Sequence, residues 1–267
     1  MQSPLCDWAN ASLPRGRSSP PVRFQMCVYP DARRVDYWIS QQVKVSGFWE
    51  RDLVQEMLSV LSSQRRHRPV LVDIGANIGF YTLAAAAAGF DVYAFEPVPR
   101  NAEMLRASLE RNRFAHRVTL HAFALGQQPT TLSMGVNAGN QGGVRHAKDK
   151  ANYTHSKGGV RLASLPLNSV LPQVFPRPIY LKVDIEGAEC SAFPSASNLF
   201  ANSMILGANM EMQPVTRKCC AQQGWRRPGG PFYHLRSTHV LCPFARSTPV
   251  IDPCNATGPW DIQWRSC

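Results

Sequence analysis

The sequence predicts an α/β fold built on a mostly parallel sheet, and the clearest signal lies in residues 70–96. An apolar run, Val70–Ile74, is followed by a glycine-containing loop and then by an alanine-rich stretch typical of a buried helix. A second apolar run begins at Val92 and ends at Glu96. Strand, loop, helix and strand in this order form the first half of a nucleotide-binding sheet, whose ligands bind at the carboxyl ends of the strands.

Strands and helices continue to alternate along the chain, which is the pattern of a mostly parallel sheet with helices packed against it. Gly89 follows the alanine-rich stretch and is the expected C-terminal stop of the first core helix. In chain order, the predicted elements are helix Glu50–Leu61, strand Val70–Ile74, helix Gly79–Ala88, strand Val92–Glu96, helix Arg100–Asn112, strand Val118–Ala124, strand Thr130–Met134, strand Val160–Leu165, strand Ile179–Asp184 and strand Met204–Met210.

The segments outside these elements have turn-rich compositions. Residues 1–21 are rich in serine and proline and are predicted to be loose; a transit peptide, a disordered leader and part of a stem are open alternatives. The glycine-rich segment Gly135–Gly143 and the polar run to Lys157 are predicted to be a loop, either a lid over the ligand end or a structureless excursion. Further elements are expected at Pro214–Gln223 (helix), Tyr233–Phe244 (strand) and Ile262–Trp264 (strand).

Length and composition fit one globular domain with additions at both ends. The chain has 267 residues, 44% of them hydrophobic, which is enough for a full α/β core. No apolar run approaches the roughly 20 residues that a membrane span requires. We interpret the chain as a leader and cap (residues 1–65), a ligand-binding core (residues 66–212) and a cysteine-rich completion of the sheet (residues 213–267).

The net charge of the chain is +11, and charge of this size is common in nucleic-acid-binding proteins. Its distribution argues against that class of partner, because the only dense cluster is Arg65–Arg68, just before the first core strand, and the other arginines are scattered. A nucleic-acid partner is therefore not expected. An anionic or sugar-rich substrate fits the charge equally well.

The chain contains eight cysteines and no C-x-x-C pair, which disfavours a zinc ribbon. Five of the eight follow residue 218, and such clustering fits disulfides formed in an oxidising compartment. Three N-x-[ST] sequons, at Asn10, Asn152 and Asn255, agree with this interpretation. We therefore expect the secretory lumen or the extracellular space rather than the cytoplasm or a plastid.

The glycine loop after the first core strand has an unusual pattern, D-x-G-x-N-x-G. Gly75 and Gly79 allow the backbone to come close to a bound molecule. A dinucleotide-binding loop, G-x-G-x-x-G, needs two more glycines after Gly75, but Asn77 and Phe80 stand in their places. The loop begins with Asp73, and a carboxylate there favours a cationic or amine-bearing ligand over a pyrophosphate.

Glu96 follows Gly75 by 21 residues and ends the next predicted strand. A carboxylate in this position accepts hydrogen bonds from the two hydroxyls of a ribose. An amine, a ribose and no phosphate together describe S-adenosylmethionine. The alternative is a tight strand-to-helix turn followed by an ordinary surface acid.

Three motifs, in this order, resemble the FkbM family of S-adenosylmethionine-dependent methyltransferases. They read VDIGANIGFYT, AFEPVPRNAEMLRASLERN and, further downstream, YLKVDIEGAE. The resemblance covers about Val70–Met212, more than half of the chain. One departure is Asn168, where the family usually has an aspartate.

This resemblance implies a Rossmann-like class I methyltransferase fold, with a mostly parallel seven-stranded sheet, an antiparallel final strand and helices on both faces. It also implies S-adenosyl-L-methionine as cofactor. The residues expected to bind this cofactor are Asp73, Gly75, Ala76, Asn77, Gly79, Phe80, Glu96, Pro97 and Asp184.

Three acids are candidates for a catalytic role because they follow strands that end beside the glycine loop. Asp184 and Glu186 follow the strand that begins at Ile179, and Glu211 follows the last core strand. Carboxylates there can orient an acceptor, act as a general base or hold a divalent metal, although no metal site is expected. Structural alternatives are a helix cap and, for Glu189, a salt bridge to a lysine.

The chain is thus interpreted as a methyltransferase that acts on an oxygen of a sugar or small hydroxylated metabolite. The sequence DIEG stands where enzymes that methylate base amines usually carry [DN]-P-P-[FY], which favours a hydroxyl acceptor. Two alternatives are a non-catalytic binding module with the same fold and a nicotinamide-dependent oxidoreductase. Asn77 and Phe80 disfavour the oxidoreductase. The sequence alone leaves the acceptor and the oligomeric state open.

Overall fold

The computed structural model describes residues 6–15, 19–137, 140–146, 160–171, 177–186, 188–196, 199 and 203–210. The strands are β1 (Asp7–Arg15), β2 (Ser19–Val28), β3 (Val70–Ile74), β4 (Asp91–Phe95), β5 (Val118–His121), β6 (Ala124–Leu125), β7 (Thr130–Asn137), β8 (Asn140–His146), β9 (Val160–Leu165), β10 (Ile179–Val183) and β11 (Ile205–Met210). The α-helices are α1 (Ala32–Val35), α2 (Ser40–Ser46), α3 (Arg51–Ser63), α4 (Phe80–Ala87), α5 (Pro99–Arg111) and α6 (Glu189–Ala192).

A parallel sheet of five strands forms the centre, in the order β11-β10-β3-β4-β5. The chain starts this sheet at β3, extends it on one side through β4 and β5, and then returns to the other side with β10 and β11. Such a reversal of strand order opens a crevice at the carboxyl ends, here between β3 and β10. The predicted α/β fold with a mostly parallel sheet is confirmed.

The predicted seven strands are confirmed only in part, because the described part of the chain contributes five strands to this sheet. The helix expected at Pro214–Gln223 and the strands expected at Tyr233–Phe244 and Ile262–Trp264 lie outside the described residues. In the ranges that the structure covers, no helix is both long enough and apolar enough to span a membrane.

Two predictions about the middle of the chain are wrong. The single strand expected at Val118–Ala124 is divided into β5 and β6, and β6 joins a second sheet of order β6-β9-β7-β8. The loop expected at Gly135–Gly143 is mostly an antiparallel hairpin of β7 and β8. The reason is that apolar residues alternate through Leu132, Met134 and Val136, and this period continues the strand despite the neighbouring glycines.

The N-terminal residues are also more ordered than the sequence predicts, since β1 and β2 pair as an antiparallel hairpin. The prediction of a loose segment through residue 21 is wrong there because alternating apolar side chains outweigh the proline and serine content. Phe24 packs edge-on against Phe80 of α4, with ring centroids 5.5 Å apart. The N–H of Cys27 donates to Oγ of Ser108 on α5 at 2.9 Å, so the hairpin covers α4 and α5.

Apolar side chains pack on both faces of the central sheet. On one face, α3, α4 and α5 lie against the sheet together with the N-terminal hairpin, in a core that includes Leu13, Met26, Met57, Leu71 and Leu105. On the other face, shorter helical turns pack against the strands, with buried Val72, Leu167, Leu181, Ala192 and Leu199. The hairpin and α3 are therefore integral parts of the hydrophobic core.

A disulfide joins Cys6 to Cys27 and ties the start of β1 to β2. Replacing both cysteines with alanine is expected to lower the free energy of unfolding by about 3 kcal/mol, the entropy of closing a loop of about this length. The bridged residues are 21 positions apart. Urea unfolding of the double variant measures this loss, and the wild-type protein under reducing conditions should match it. An unchanged unfolding midpoint in both samples would contradict the prediction.

Candidate active site at the carboxyl ends of the sheet

The glycine loop between β3 and α4 is held tightly against the neighbouring strands. The N–H groups of Gly75 and Ala76 both donate to the carbonyl of Phe95, at 2.9 Å each. Gly75 has a φ of 84°, and a Cβ there would overlap the carbonyl oxygen of Asp184. Gly79, with a φ of 94°, is the N-cap of α4. The two glycines are thus required by a positive φ and, at Gly75, by close backbone contact.

Glu96 ends the strand next to this loop and is buried. Its Oε2 accepts the N–H of Asn77 at 2.8 Å, and its Oε1 accepts the N–H of Val98 at 2.8 Å and Nδ2 of Asn101 at 3.4 Å. Burial raises the pKa of Glu96 to about 7, against the opposing effect of these hydrogen bonds. Glu96 therefore fixes the glycine loop through Asn77. This structural role was not predicted from the sequence, which predicted only a contact with a ribose.

Asp73 lies at the end of β3 with only 1% of its surface exposed. The hydroxyl of Thr82, on the first turn of α4, donates to Oδ2 of Asp73 at 2.6 Å. Burial raises the pKa of Asp73 to about 6, while the Thr82 hydrogen bond and the charge of Lys182 oppose this rise. Asp73 is thus a buried carboxylate between the loop and the helix that follows it.

Three polar residues form a row across the sheet, because β3, β10 and β11 are neighbours in register. Asp73 is paired with Lys182, and Lys182 is paired with Asn209. Lys182 is almost fully buried, and its Nζ lies 2.9 Å from Oδ2 of Asp184, whose side chain is 27% exposed. Asp184 was predicted from the sequence and Lys182 was not, although the alternation Lys182-x-Asp184 at a strand end was a usable signal.

Lys182 remains an ammonium group in this environment. Burial lowers the pKa of Lys182, but the nearby carboxylates of Asp184, Glu50 and Asp73 outweigh burial and leave the pKa above its ordinary value. The positive charge therefore lies among three carboxylates at the edge of the sheet where a ligand is expected.

Glu50 joins this group from the N-terminal side and was also missed by the sequence analysis. The hydroxyl of Tyr81 donates a hydrogen bond to Oε2 of Glu50 at 2.7 Å and accepts one from Nδ2 of Asn209 at 2.7 Å. Nζ of Lys182 lies 5.3 Å from the centre of the Tyr81 ring. Burial raises the pKa of Glu50, whereas Lys182 and the Tyr81 hydroxyl oppose that rise. We call Glu50, Tyr81, Lys182, Asp184 and Asn209 the polar network.

The other predicted site residues have different surroundings. Phe80 packs in the apolar core against Phe24, and Ala76 is buried in the loop, while Pro97 is half-buried after Glu96. Glu186 lies in the turn after Asp184 with a φ of 55°. Glu211 lies outside the described residues. Among the residues that are described, no three His, Cys, Asp or Glu side chains are grouped to hold a metal ion.

A parallel sheet with a glycine loop after one strand and a buried acid at the end of the next defines a nucleotide-binding α/β domain. The family model of the FkbM methyltransferase domain matches residues 73–218. The match covers more than half of the 267 residues, and the chain belongs to this family. The resemblance seen in the three motifs is confirmed, and S-adenosylmethionine is the cofactor of this methyltransferase domain.

Solved methyltransferase structures are similar at low identity. Precorrin-6y C5,15-methyltransferase from Geobacter metallireducens is 15% identical, with coverage of 58% of this chain and 60% of that chain and a TM-score of 0.32. The N-terminal domain of human METTL16 is 9% identical, with coverage of 82% of this chain and 76% of that chain and a TM-score of 0.42. P. horikoshii TYW2, in complex with MeSAdo, is 14% identical, with coverage of 75% of this chain and 64% of that chain and a TM-score of 0.32.

The chain thus spans less than two thirds of the length of two of these three structures. No curated protein sequence matches the chain significantly.

The two raised carboxyl pKa values predict that cofactor affinity increases with pH. Glu96, with a pKa of about 7, and Asp73, with a pKa of about 6, are both largely protonated at low pH and ionised at slightly alkaline pH. A cationic cofactor with ribose hydroxyl donors binds the ionised carboxylates. Affinity should therefore rise at least tenfold per pH unit between about pH 5 and 6.5, because one proton must leave Glu96 and, below about pH 6, a second must leave Asp73. Calorimetric titration with S-adenosylmethionine across this range measures the slope.

The control for this prediction is Glu96→Gln, which keeps the shape of the side chain but cannot ionise. Its affinity should be lower and should change less steeply with pH. If wild type and variant show the same slope, the ionisation of Glu96 does not control cofactor binding.

Proposed function

We propose that this protein transfers the methyl group of S-adenosylmethionine to an oxygen of a sugar or of another small hydroxylated metabolite. The observation that carries the proposal is the polar network next to the glycine loop. Its carboxylates accept hydrogen bonds from hydroxyl donors, and its ammonium group keeps the network from accumulating negative charge. A polyhydroxylated acceptor fits such a surface better than an apolar one.

The residues expected to hold the cofactor fit its chemical groups. Gly75, Asn77 and Gly79 allow close approach of the loop to the methionine part, and the buried carboxylate of Asp73 favours a cationic group nearby. Glu96 already accepts three hydrogen bonds, two at Oε1 and one at Oε2, and of its about four lone pairs one remains, on Oε2, for a ribose hydroxyl. The bound cofactor supplies an electrophilic methyl group.

In this proposal the chain aligns the acceptor. Asp184, held by Lys182, orients an acceptor hydroxyl, and Glu186 lies in the following turn, where the acceptor approaches. The partly buried Trp49 ring lies beside the network, 6.0 Å from the ring of Tyr81.

The experiment that tests the proposal measures transfer of a radiolabelled methyl group from S-adenosylmethionine to a panel of methyl glycosides. Nucleosides with exocyclic amines serve as the contrasting acceptors. Labelled ether products from a glycoside support the proposal, whereas transfer only to an amine contradicts the acceptor class. Calorimetry with S-adenosylmethionine and with NAD separates the methyltransferase from an oxidoreductase, and binding without transfer to any acceptor favours a non-catalytic module.

We also propose that the protein works in an oxidising compartment, such as the secretory lumen or the extracellular space. The Cys6–Cys27 disulfide supports this proposal, because such bridges persist mainly in oxidising surroundings. Alkylation of the unreduced protein from its native source, followed by mass spectrometry, tests it. Free, alkylated thiols at both positions would argue for a reducing compartment instead.

A further inference from the structure

Glu50 lies at the ligand edge of the sheet although it precedes the first core strand by 20 residues. Helix α3 ends shortly before β3 begins, so the start of α3 must lie towards the opposite, carboxyl edge. The hydrogen bond from Tyr81, on the first turn after the glycine loop, fixes Glu50 at that edge. Lys182 and Asp184 are close enough for their charges to affect Glu50. Glu50 therefore belongs to the site geometrically.

The backbone of Glu50 adopts an unfavourable conformation, with a φ of 43° and a ψ of 47° at the N-cap of α3. This left-handed region is unfavourable for a residue that carries a side chain. Its side chain makes no capping hydrogen bond to α3. Instead, the carboxylate points towards Tyr81, so the local structure favours this contact over the ordinary capping of a helix.

Three carboxylates at the ligand edge lie around Lys182, and they differ in how readily they can take a proton from a substrate. Protonation of Asp184 would break its ion pair with Lys182. Asp73 is buried and already accepts the Thr82 hydroxyl. Glu50 is half-buried, and its described partner is the neutral hydroxyl of Tyr81, so that it can accept a proton without the loss of an ion pair.

We propose that Glu50 is the general base that accepts the proton of the acceptor hydroxyl. This inference rests on the proposed oxygen methylation. As the acceptor oxygen forms its bond to the methyl carbon, the bond between that carbon and the sulfonium sulfur breaks, and the hydroxyl proton moves to the carboxylate of Glu50. Tyr81, held by Asn209, is a positioning residue that orients this carboxylate.

The environment of Glu50 suits this role. Burial raises its pKa above that of an ordinary glutamate, which makes the carboxylate a stronger base. The titratable and charged groups that face it are Lys182 and Asp184 from β10 and Tyr81 from α4. The positive charge of Lys182 opposes this rise in the pKa of Glu50.

The test compares Glu50→Gln with Glu56→Gln, a matched change on the exposed side of the same helix. With a methyl glycoside that the wild type methylates, Glu50→Gln should reduce the rate about a hundredfold, the usual contribution of a positioned base. It should also remove the acidic limb of the pH–rate profile. Calorimetric affinity for S-adenosylmethionine and the unfolding midpoint should stay near wild type, and Glu56→Gln should change none of these values.

A second measurement does not depend on activity. In protein labelled with ¹³C at the glutamate carboxyl groups, the resonance absent from Glu50→Gln should titrate above the ordinary glutamate range of about 4.3. The inference is overturned if this resonance titrates in the ordinary range, or if Glu50→Gln methylates the glycoside at the wild-type rate. A wild type that binds the cofactor but methylates amines alone overturns the proposed oxygen methylation, and the titration then still decides whether Glu50 has the basicity required.

Discussion

Replacing Asp184 with asparagine is expected to reduce methyl transfer about a hundredfold while cofactor affinity stays within about twofold of wild type. Asparagine preserves the shape of the side chain but removes the charge that pairs with Lys182 at 2.9 Å. A hydrogen bond to a charged group contributes about 1.5–3 kcal/mol, and misplacing a reacting group by about 1 Å costs a similar factor in rate. The backbone of Asp184 should stay in place, because its N–H donates to the carbonyl of Ile74 at 2.9 Å.

The matched control for this change is Asp91→Asn. Asp91 also forms an ion pair, with Arg177 at 2.8 Å, but it starts β4 and therefore lies at the opposite, amino end of the sheet. Its loss should leave methyl transfer unchanged. If Asp184→Asn retains wild-type activity, the orienting role moves to Glu186. If cofactor affinity falls as far as activity, Asp184 belongs to the cofactor site.

Replacing Gly75 with alanine is expected to cost about 2–5 kcal/mol of stability and to abolish measurable cofactor binding. A Cβ at this position overlaps the carbonyl of Asp184, a backbone atom that cannot move without separating β3 from β10. The φ of 84° adds about 1–2 kcal/mol of backbone strain for alanine. Such a loss is a large fraction of the 5–15 kcal/mol that stabilises a typical domain.

Gly79→Ala provides the comparison, since Gly79 has a similar φ of 94°. Its added Cβ would overlap the end of the buried Leu105 side chain, which can shift more easily than a backbone carbonyl, so that the expected cost is smaller, about 1–3 kcal/mol. Urea unfolding and calorimetric titration of both variants measure the difference. Equal stability of the two variants would show that contact with the Asp184 carbonyl does not limit the loop.

Local patterns in the sequence predicted the parts of the structure that depend on neighbours along the chain. The boundaries of β3, α4 and β10 follow from apolar runs and from glycines, and the structure places them within a residue of the prediction. Gly75 was predicted as a point of close approach to a bound molecule, and the structure shows in addition that its φ is positive.

The polar network could not be predicted in this way, because its members come from distant positions. Tyr81 bonds to Glu50 across 31 residues and to Asn209 across 128 residues. No periodic pattern connects such positions; the register between β10 and β11 and the packing of α3 bring them together. The hydrogen bond from the Asn77 N–H to Glu96, which fixes the glycine loop, was missed for a related reason. It depends on the direction in which the backbone N–H points, and no sequence pattern specifies that direction.

The disulfide-tied hairpin and α3 have a consequence for how this protein can diversify. The family match begins at residue 73, yet the fully buried Leu13, Met26 and Met57 lie upstream of it. The unit that folds is therefore larger than the unit that sequence similarity recognises. If Glu50 serves the acceptor as proposed, one part of the acceptor site comes from upstream of the family match, beside Asp184 and Glu186 from within it. Changes upstream of residue 70 can then alter the choice of acceptor while the cofactor loop stays as it is.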